Sequence, residues 1–317
     1  MKIVVLNGAK INFDGTVDYS VLGGASDEVL VYDTCARADY QTYSQGAQII
    51  VSKELPMSRE DIHALPSSVK LICEAGTGYN NIDVAACRER SIGVCNIPAY
   101  SSERVAHTAA MLMLNLSSSM QVQLKMLAHG DRRNFTESLL VSHTELNGKT
   151  LGVVGAGNVG QKMIKIGIAL DMRVLVYNRS TKNLPHGAVQ VSLEEVLKES
   201  DYLSLHCPLT DATRHMINTD TIAKMKPTAF IINTSRGALI DEPELIKALQ
   251  DKKIAGAGLD VQETEPPVED NPLYRLPNVI LTPHMGWKGL ETRQRLISIL
   301  KDGISGYRQG RKVNRVD

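Results

Sequence analysis

Three short apolar runs late in the chain each end in residues able to handle anions or protons. Ala229-Phe230-Ile231-Ile232 runs into Asn233-Thr234-Ser235-Arg236-Gly237, and Ala257-Gly258-Leu259 into Asp260-Val261-Gln262-Glu263-Thr264-Glu265. Val279-Ile280-Leu281 runs into Thr282-Pro283-His284. If these runs are strands of a parallel sheet, an arginine, a carboxylate and a histidine leave its carboxyl edge, where such sheets meet ligands. Arginine's planar fork can hold a carboxylate on two points and polarise a neighbouring carbonyl. Histidine can protonate that carbonyl oxygen as a hydride arrives and serve as the base in reverse. A carboxylate beside it would favour the imidazolium and hold the ring. Together they suit reduction of a 2-keto acid. Each residue also has a plainer reading as a loop residue or helix cap, and Asp260 can equally cap a turn or meet a nicotinamide carboxamide; the joint placement favours chemistry.

Such a reaction needs a hydride source, and an earlier stretch offers its cradle. Leu151-Gly152-Val153-Val154 reads as a buried strand breaking into Gly155-Ala156-Gly157-Asn158-Val159-Gly160, after which Met163, Ile164, Ile166, Ile168 and Leu170 keep a helical pattern. In such a turn the first glycine permits the bend, the second lets the backbone approach a pyrophosphate, and the third lets helix and strand pack. The N–H groups and positive dipole end of the new helix suit the phosphates. A second strand at 173–177 completes a βαβ unit, so Gly155, Gly157, Asn158, Val159 and Gly160 are assigned to a dinucleotide. Thr234 and Asp260, at later strand ends, are assigned to the same ligand.

Strand and helix signals alternate along most of the chain. The amino terminus reads as a first strand, its apolar run too short for a signal peptide. Further strands are expected at 29–32, 47–51, 69–73 and 93–97, with helices around 59–65 and 84–90. One long helical stretch, 101–128, follows. Alternation restarts with six strands at 150–154, 173–177, 202–205, 229–232, 256–259 and 279–281, and a last helix spans 290–307. The fold class is α/β, with two doubly wound parallel sheets. A dinucleotide-binding domain (99–288) is inserted into a substrate domain made of 1–98 and 289–317, and the cleft between them is the expected ligand site.

Composition narrows the partners. Of 317 residues, lysine plus arginine and aspartate plus glutamate each number 35, so no net field favours nucleic acid or an anionic membrane. No stretch is long enough to span a bilayer. Cys35, Cys73, Cys87, Cys95 and Cys207 show neither a C-x-x-C pair nor metal-ligand spacing, so no metal is expected. Reduced, mostly buried thiols suit a cytoplasmic protein.

The end of the second strand bears on the cofactor. An acidic residue there would bind the adenosine ribose and repel a 2′-phosphate. The chain instead has Asn178-Arg179-Ser180, with Lys182 close behind, offering a cation and a hydroxyl to a phosphate. This favours NADP over NAD.

Taken together, the glycine turn, Asn233 to Gly237, Gly258-Leu259-Asp260-Val261 with Glu265-Pro266-Pro267, and Thr282-Pro283-His284 resemble the D-isomer-specific 2-hydroxyacid dehydrogenases. Gly76-Thr77-Gly78-Tyr79-Asn80-Asn81-Ile82-Asp83, Asn96 to Tyr100 and His284-Met285-Gly286-Trp287 most resemble the glycerate dehydrogenase/hydroxypyruvate reductase (glyoxylate reductase) branch. The resemblance implies a Rossmann-like nucleotide domain inserted into a flavodoxin-like substrate domain. It implies that Arg236 holds substrate, Glu265 tunes the histidine and His284 donates the proton, while backbone amides near Thr77 and Gly78 receive the substrate carboxylate. It also implies a homodimer through the long helix region, and Cys207 beneath the cofactor. The chain departs from the pattern at His107, where relatives carry glutamate or glutamine, and in 130–140, which lacks a tryptophan; both leave the substrate side chain open. His107 reads as a packed helix residue or as one touching the cofactor side of the cleft, Lys53 as a solvated side chain or one attracting an anionic substrate, and Trp287 as an interior ring beside the cleft or a wall of the substrate pocket; the first reading is the plainer one in each case. The alternatives are a phosphoglycerate or D-lactate enzyme of the same family, or a non-catalytic NAD(H)-sensing protein like the corepressors that share this fold.

Overall fold

The computed structural model describes residues 1–317 as two compact units, Met1–Tyr100 with Lys288–Asp317, and Ser101–Trp287. In the first unit, β1 (Lys2–Leu6), β2 (Glu28–Tyr32), β3 (Ile49–Ser52), β4 (Leu71–Glu74) and β5 (Gly93–Cys95) form one parallel sheet in the order β2-β1-β3-β4-β5. This is the flavodoxin-like order. Strands β1, β3 and β4 are buried throughout or nearly so, as continuous apolar runs in a sheet covered on both faces must be. Helices α1 (Arg59–Ala64) and α2 (Val84–Glu89) open on Ser58 and Asp83, whose side chains accept from the N–H groups of Asp61 and Ala86. The carboxy-terminal helix, Leu290–Arg308, belongs to this unit. Its Arg293 is fully buried and donates to both carboxylate oxygens of Asp14, at 2.8 and 2.6 Å, and to the Ile11 carbonyl. That fork holds the Asp14 carboxyl well below the usual carboxylate range.

The second unit opens with α3 (Ser102–Ser117) and α4 (Met120–Ala128). The single helix expected here is broken because Ser119 takes a left-handed conformation, φ 48°. Seven parallel strands follow: β6 (Thr150–Val154), β7 (Arg173–Tyr177), β8 (Ala188–Gln190), β9 (Tyr202–Leu205), β10 (Phe230–Asn233), β11 (Gly256–Leu259) and β12 (Val279–Leu281). Their order is β12-β11-β10-β9-β6-β7-β8, a Rossmann sheet with one strand added. The chain turns outward in both directions from β6, which makes the β6/β9 junction the topological switch point. Sequence reading missed β8. It has three residues, none buried, and so no apolar run to announce it. Helices α5 (Asn158–Ala169), α6 (Leu193–Glu199) and α7 (Glu242–Gln250) are among those that cover the sheet. The core divides into two clusters, one containing Val196, Leu205, Ile231 and Leu245, the other Leu112, Val153, Ile164 and Ile232.

Candidate active site

The glycine turn sits at the switch point. Gly155 has φ +99°, and a Cβ there would lie 2.6 Å from the Cys207 backbone nitrogen, so only glycine closes this bend. A Cβ on Gly160 would stand 1.9 Å from the Gly155 carbonyl oxygen, so α5 presses on the turn itself. Gly157, at the N-terminus of α5, faces open space: nothing lies within 4 Å of its Cβ position. Asn158 and Val159 open the helix, and the N–H groups of its first turn have no intrahelical acceptor. Two buried polar atoms at neighbouring strand ends, His206 Nδ1 and Thr234 Oγ1, have no partner within the protein. His206 binds Ser204 through Nε2 (2.8 Å), and burial lowers its pKa to about 4. Burial pushes the neighbouring Cys207 thiol up to about 11, so it stays protonated at neutral pH.

At the end of β7, Asn178 ties the two turns together. Its Oδ1 accepts from the Ala156 N–H at 3.0 Å and its Nδ2 donates to the Ser180 carbonyl at 2.8 Å. Arg179, Ser180 and Lys182 are exposed.

At the carboxyl ends of β10, β11 and β12 lies the polar set. Asn233 shapes the turn that carries Arg236, accepting from Ser235 N–H (3.0 Å) and donating to the Arg236 carbonyl (2.8 Å). Arg236 Nη1 donates to the Ser235 carbonyl. Of the three carboxylates in 260–265, each has its own partner. Glu265 reaches the His284 ring, Oε2 to Nδ1 at 2.7 Å. Glu263 binds His215 at 2.6 Å. Asp260, 1% exposed, accepts from the Thr282 hydroxyl (2.5 Å), Met285 N–H (2.9 Å) and Gly286 N–H (2.8 Å). Of the two readings of Asp260, the structure draws the turn cap: its carboxylate folds the segment around His284, whose φ is +47°. Both ring and carboxylate of the His284–Glu265 pair are about one-third exposed, a position from which a proton can pass to a bound molecule.

Thr77 and Gly78 belong to the first unit. Thr77 Oγ1 donates to the Ile97 carbonyl (2.9 Å) and Asn96 Nδ2 to the Thr77 carbonyl (2.7 Å), which pins the loop. Lys53 differs from the expectation of a solvated side chain. It is 4% exposed and bonds Glu54 at 2.7 Å, and its Nζ stands 3.4 Å from where a Cβ on Gly76 would be. Glu74, buried and accepting from Ser52 and Asn81, flanks the same glycine; burial raises its pKa despite Lys53. His107 also differs. It is exposed on α3 rather than packed, whereas Trp287 is interior as expected.

Residues 110–286 match the family model described as D-isomer specific 2-hydroxyacid dehydrogenase, NAD binding domain. The chain belongs to that family. The dehydrogenase is 36% identical to the hydroxypyruvate reductase of Blautia hydrogenotrophica, over the whole of both chains. Among solved structures it resembles a glyoxylate reductase from Paecilomyes thermophila, with TM-score 0.83, 31% identity, and 99% and 98% of the two chains covered. It also resembles an acyclic imino acid reductase in complex with NADPH and D-Arg, with TM-score 0.83 and 28% identity over both full chains. The family's nicotinamide dinucleotide fits the turn described above: an open helix N-terminus, a glycine with no neighbour, and two orphaned polar atoms beside it. As a member of the family the dehydrogenase is an oxidoreductase, and no helix in it is long and apolar enough to cross a membrane.

Proposed function

We propose that the dehydrogenase reduces a small 2-keto acid of the hydroxypyruvate or glyoxylate kind to the D-2-hydroxy acid, using NADPH in preference to NADH. The observation that carries the reading is the 2.7 Å contact between Glu265 and His284 beside the Arg236 turn. Through Nδ1 the carboxylate fixes the ring, which leaves Nε2 to hand a proton to the developing alkoxide. Arg236 holds the substrate carboxylate and polarises its carbonyl. The N–H groups of Thr77 and Gly78, which donate to no protein acceptor, also receive the substrate carboxylate. Nicotinamide supplies the hydride when bound. Gly155, Gly157, Asn158, Val159 and Gly160 hold the pyrophosphate, Thr234 and Cys207 line the ring side, Asp260 shapes the His284 turn, and Asn178, Arg179 and Ser180 meet the adenosine ribose.

Names of relatives favour the same substrates. The cofactor preference rests on Arg179, Ser180 and Lys182 standing exposed where an acidic residue would repel a phosphate. Initial rates with hydroxypyruvate, glyoxylate and pyruvate, each with NADPH and NADH, test both parts. Fast hydroxypyruvate or glyoxylate turnover with NADPH is expected. Turnover with NADH alone overturns the cofactor assignment, and dinucleotide binding without turnover of any keto acid favours the sensor alternative.

The protein acts in the cytoplasm as a homodimer through the α3–α4 region. No residue of α4 is buried, and Leu114, Leu124, Leu127, Phe135, Leu139 and Leu140 are all exposed within one stretch of chain. So large an apolar surface calls for a partner, and a second copy is the partner at hand. Light scattering during gel filtration is expected to give twice the chain's 34.7 kDa; a monomer at working concentration contradicts it.

A further inference from the structure

We infer that Gln190 is a positioning residue for cofactor selection: its carboxamide sets the shape of the 178–182 loop and thereby the discrimination between the 2′-phosphorylated and the plain dinucleotide. The inference rests on the proposed role of that loop at the adenosine ribose. Gln190 ends β8, the edge strand that no apolar run announces. Its Oε1 accepts from the Lys182 N–H at 3.0 Å. Its Nε2 donates twice, to the Asn178 carbonyl and to the Ser180 carbonyl, both at 3.1 Å. One side chain thus spends both its N–H groups and its oxygen on the backbone of three loop residues.

The geometry has a direct consequence. Asn178 already fastens the start of the loop to the glycine turn through Ala156. Gln190 closes the other side, so Arg179, Ser180 and Lys182, all exposed, leave a backbone held at both ends. Three side chains able to bind a phosphate bind it well only when their backbone is already in place; otherwise binding must order the loop at its own cost. A plain ribose, which uses fewer of these groups, gains less from the order. Gln190 touches no ligand in this scheme and acts only through the loop.

Gln190→Met, close in size and unable to make any of the three bonds, tests it. Calorimetric titration of wild type and variant with NADP+, NAD+ and 2′,5′-ADP reads binding without turnover, and initial rates read KM and kcat. The variant is expected to weaken NADP+ and 2′,5′-ADP about tenfold, to move NAD+ less than about twofold, and to keep kcat at saturating NADPH, the loss being that of one or two hydrogen bonds. A ratio of NAD+ to NADP+ dissociation constants within about twofold of wild type overturns the inference. So does an equal loss for both dinucleotides accompanied by a lower melting temperature, which marks a purely structural role. Wild type that binds NAD+ more tightly than NADP+ contradicts the cofactor assignment instead; Gln190 then still stands or falls on whether the variant shifts the ratio.

Discussion

Two turns at strand ends, one after β6 and one after β12, do comparable work by different means. The glycine turn is built by what is missing. Its shape follows from backbone approaching backbone where a Cβ would stand 1.9 to 2.6 Å from main-chain atoms. The His284 turn is built by a side chain from a different strand, since Asp260 gathers Thr282, Met285 and Gly286 onto one buried carboxylate. The first therefore offers backbone N–H groups to a ligand that needs no side-chain chemistry. The second holds an ionisable ring in a left-handed conformation that few other contacts would enforce.

Substitutions can break either turn separately. His284→Ala removes the proposed proton donor and is expected to lower kcat by about 10²–10⁴-fold while leaving the dinucleotide dissociation constant unchanged; unchanged turnover would remove the assignment. Gly160→Ala pushes a methyl into the Gly155 carbonyl. It is expected to cost about 2 kcal/mol or more of stability and to abolish most dinucleotide binding, read by thermal melting and by titration. Asp260→Asn keeps the shape but removes the charge that three donors share. A fall in kcat of about ten- to a hundredfold at constant dinucleotide affinity would separate this turn from the glycine turn, whereas a matching loss of affinity would merge them.

An effect on stability alone, without bearing on turnover, concerns His206, beneath the glycine turn. Its folded pKa of about 4 lies below the ordinary 6.5, because burial disfavours the charged ring. Above pH 6.5 neither state is protonated there and stability is full. As pH falls from 6.5 towards 4 the unfolded chain takes up a proton that the folded one refuses, and roughly 3 kcal/mol is lost over that window. Denaturant melts across it should show the slope, and His206→Asn should flatten it; an equally steep slope in the variant would place the acid sensitivity elsewhere.

The same contrast explains what could be read beforehand. Strands β6, β7, β9, β11 and β12 fall where apolar runs predict them, and β10 is displaced by one residue, because buried parallel strands carry their signal locally. The glycine spacing is visible for the same reason: absent side chains leave a mark in the sequence. A bond such as Asp260 to Gly286 joins residues 26 apart and leaves none, so Asp260 kept two readings until the fold drew one. Gln190, on a three-residue edge strand, was invisible altogether. Burial of Lys53, paired with Glu54 next to it in the chain, could not be read because it depends on the Gly76 loop and Glu74 being brought beside its long stem.

Chiral chromatography of the product formed from hydroxypyruvate and NADPH tests the central reading most directly. D-glycerate, formed in step with NADPH consumed, is the predicted result. L-glycerate, a racemate or no product would contradict it.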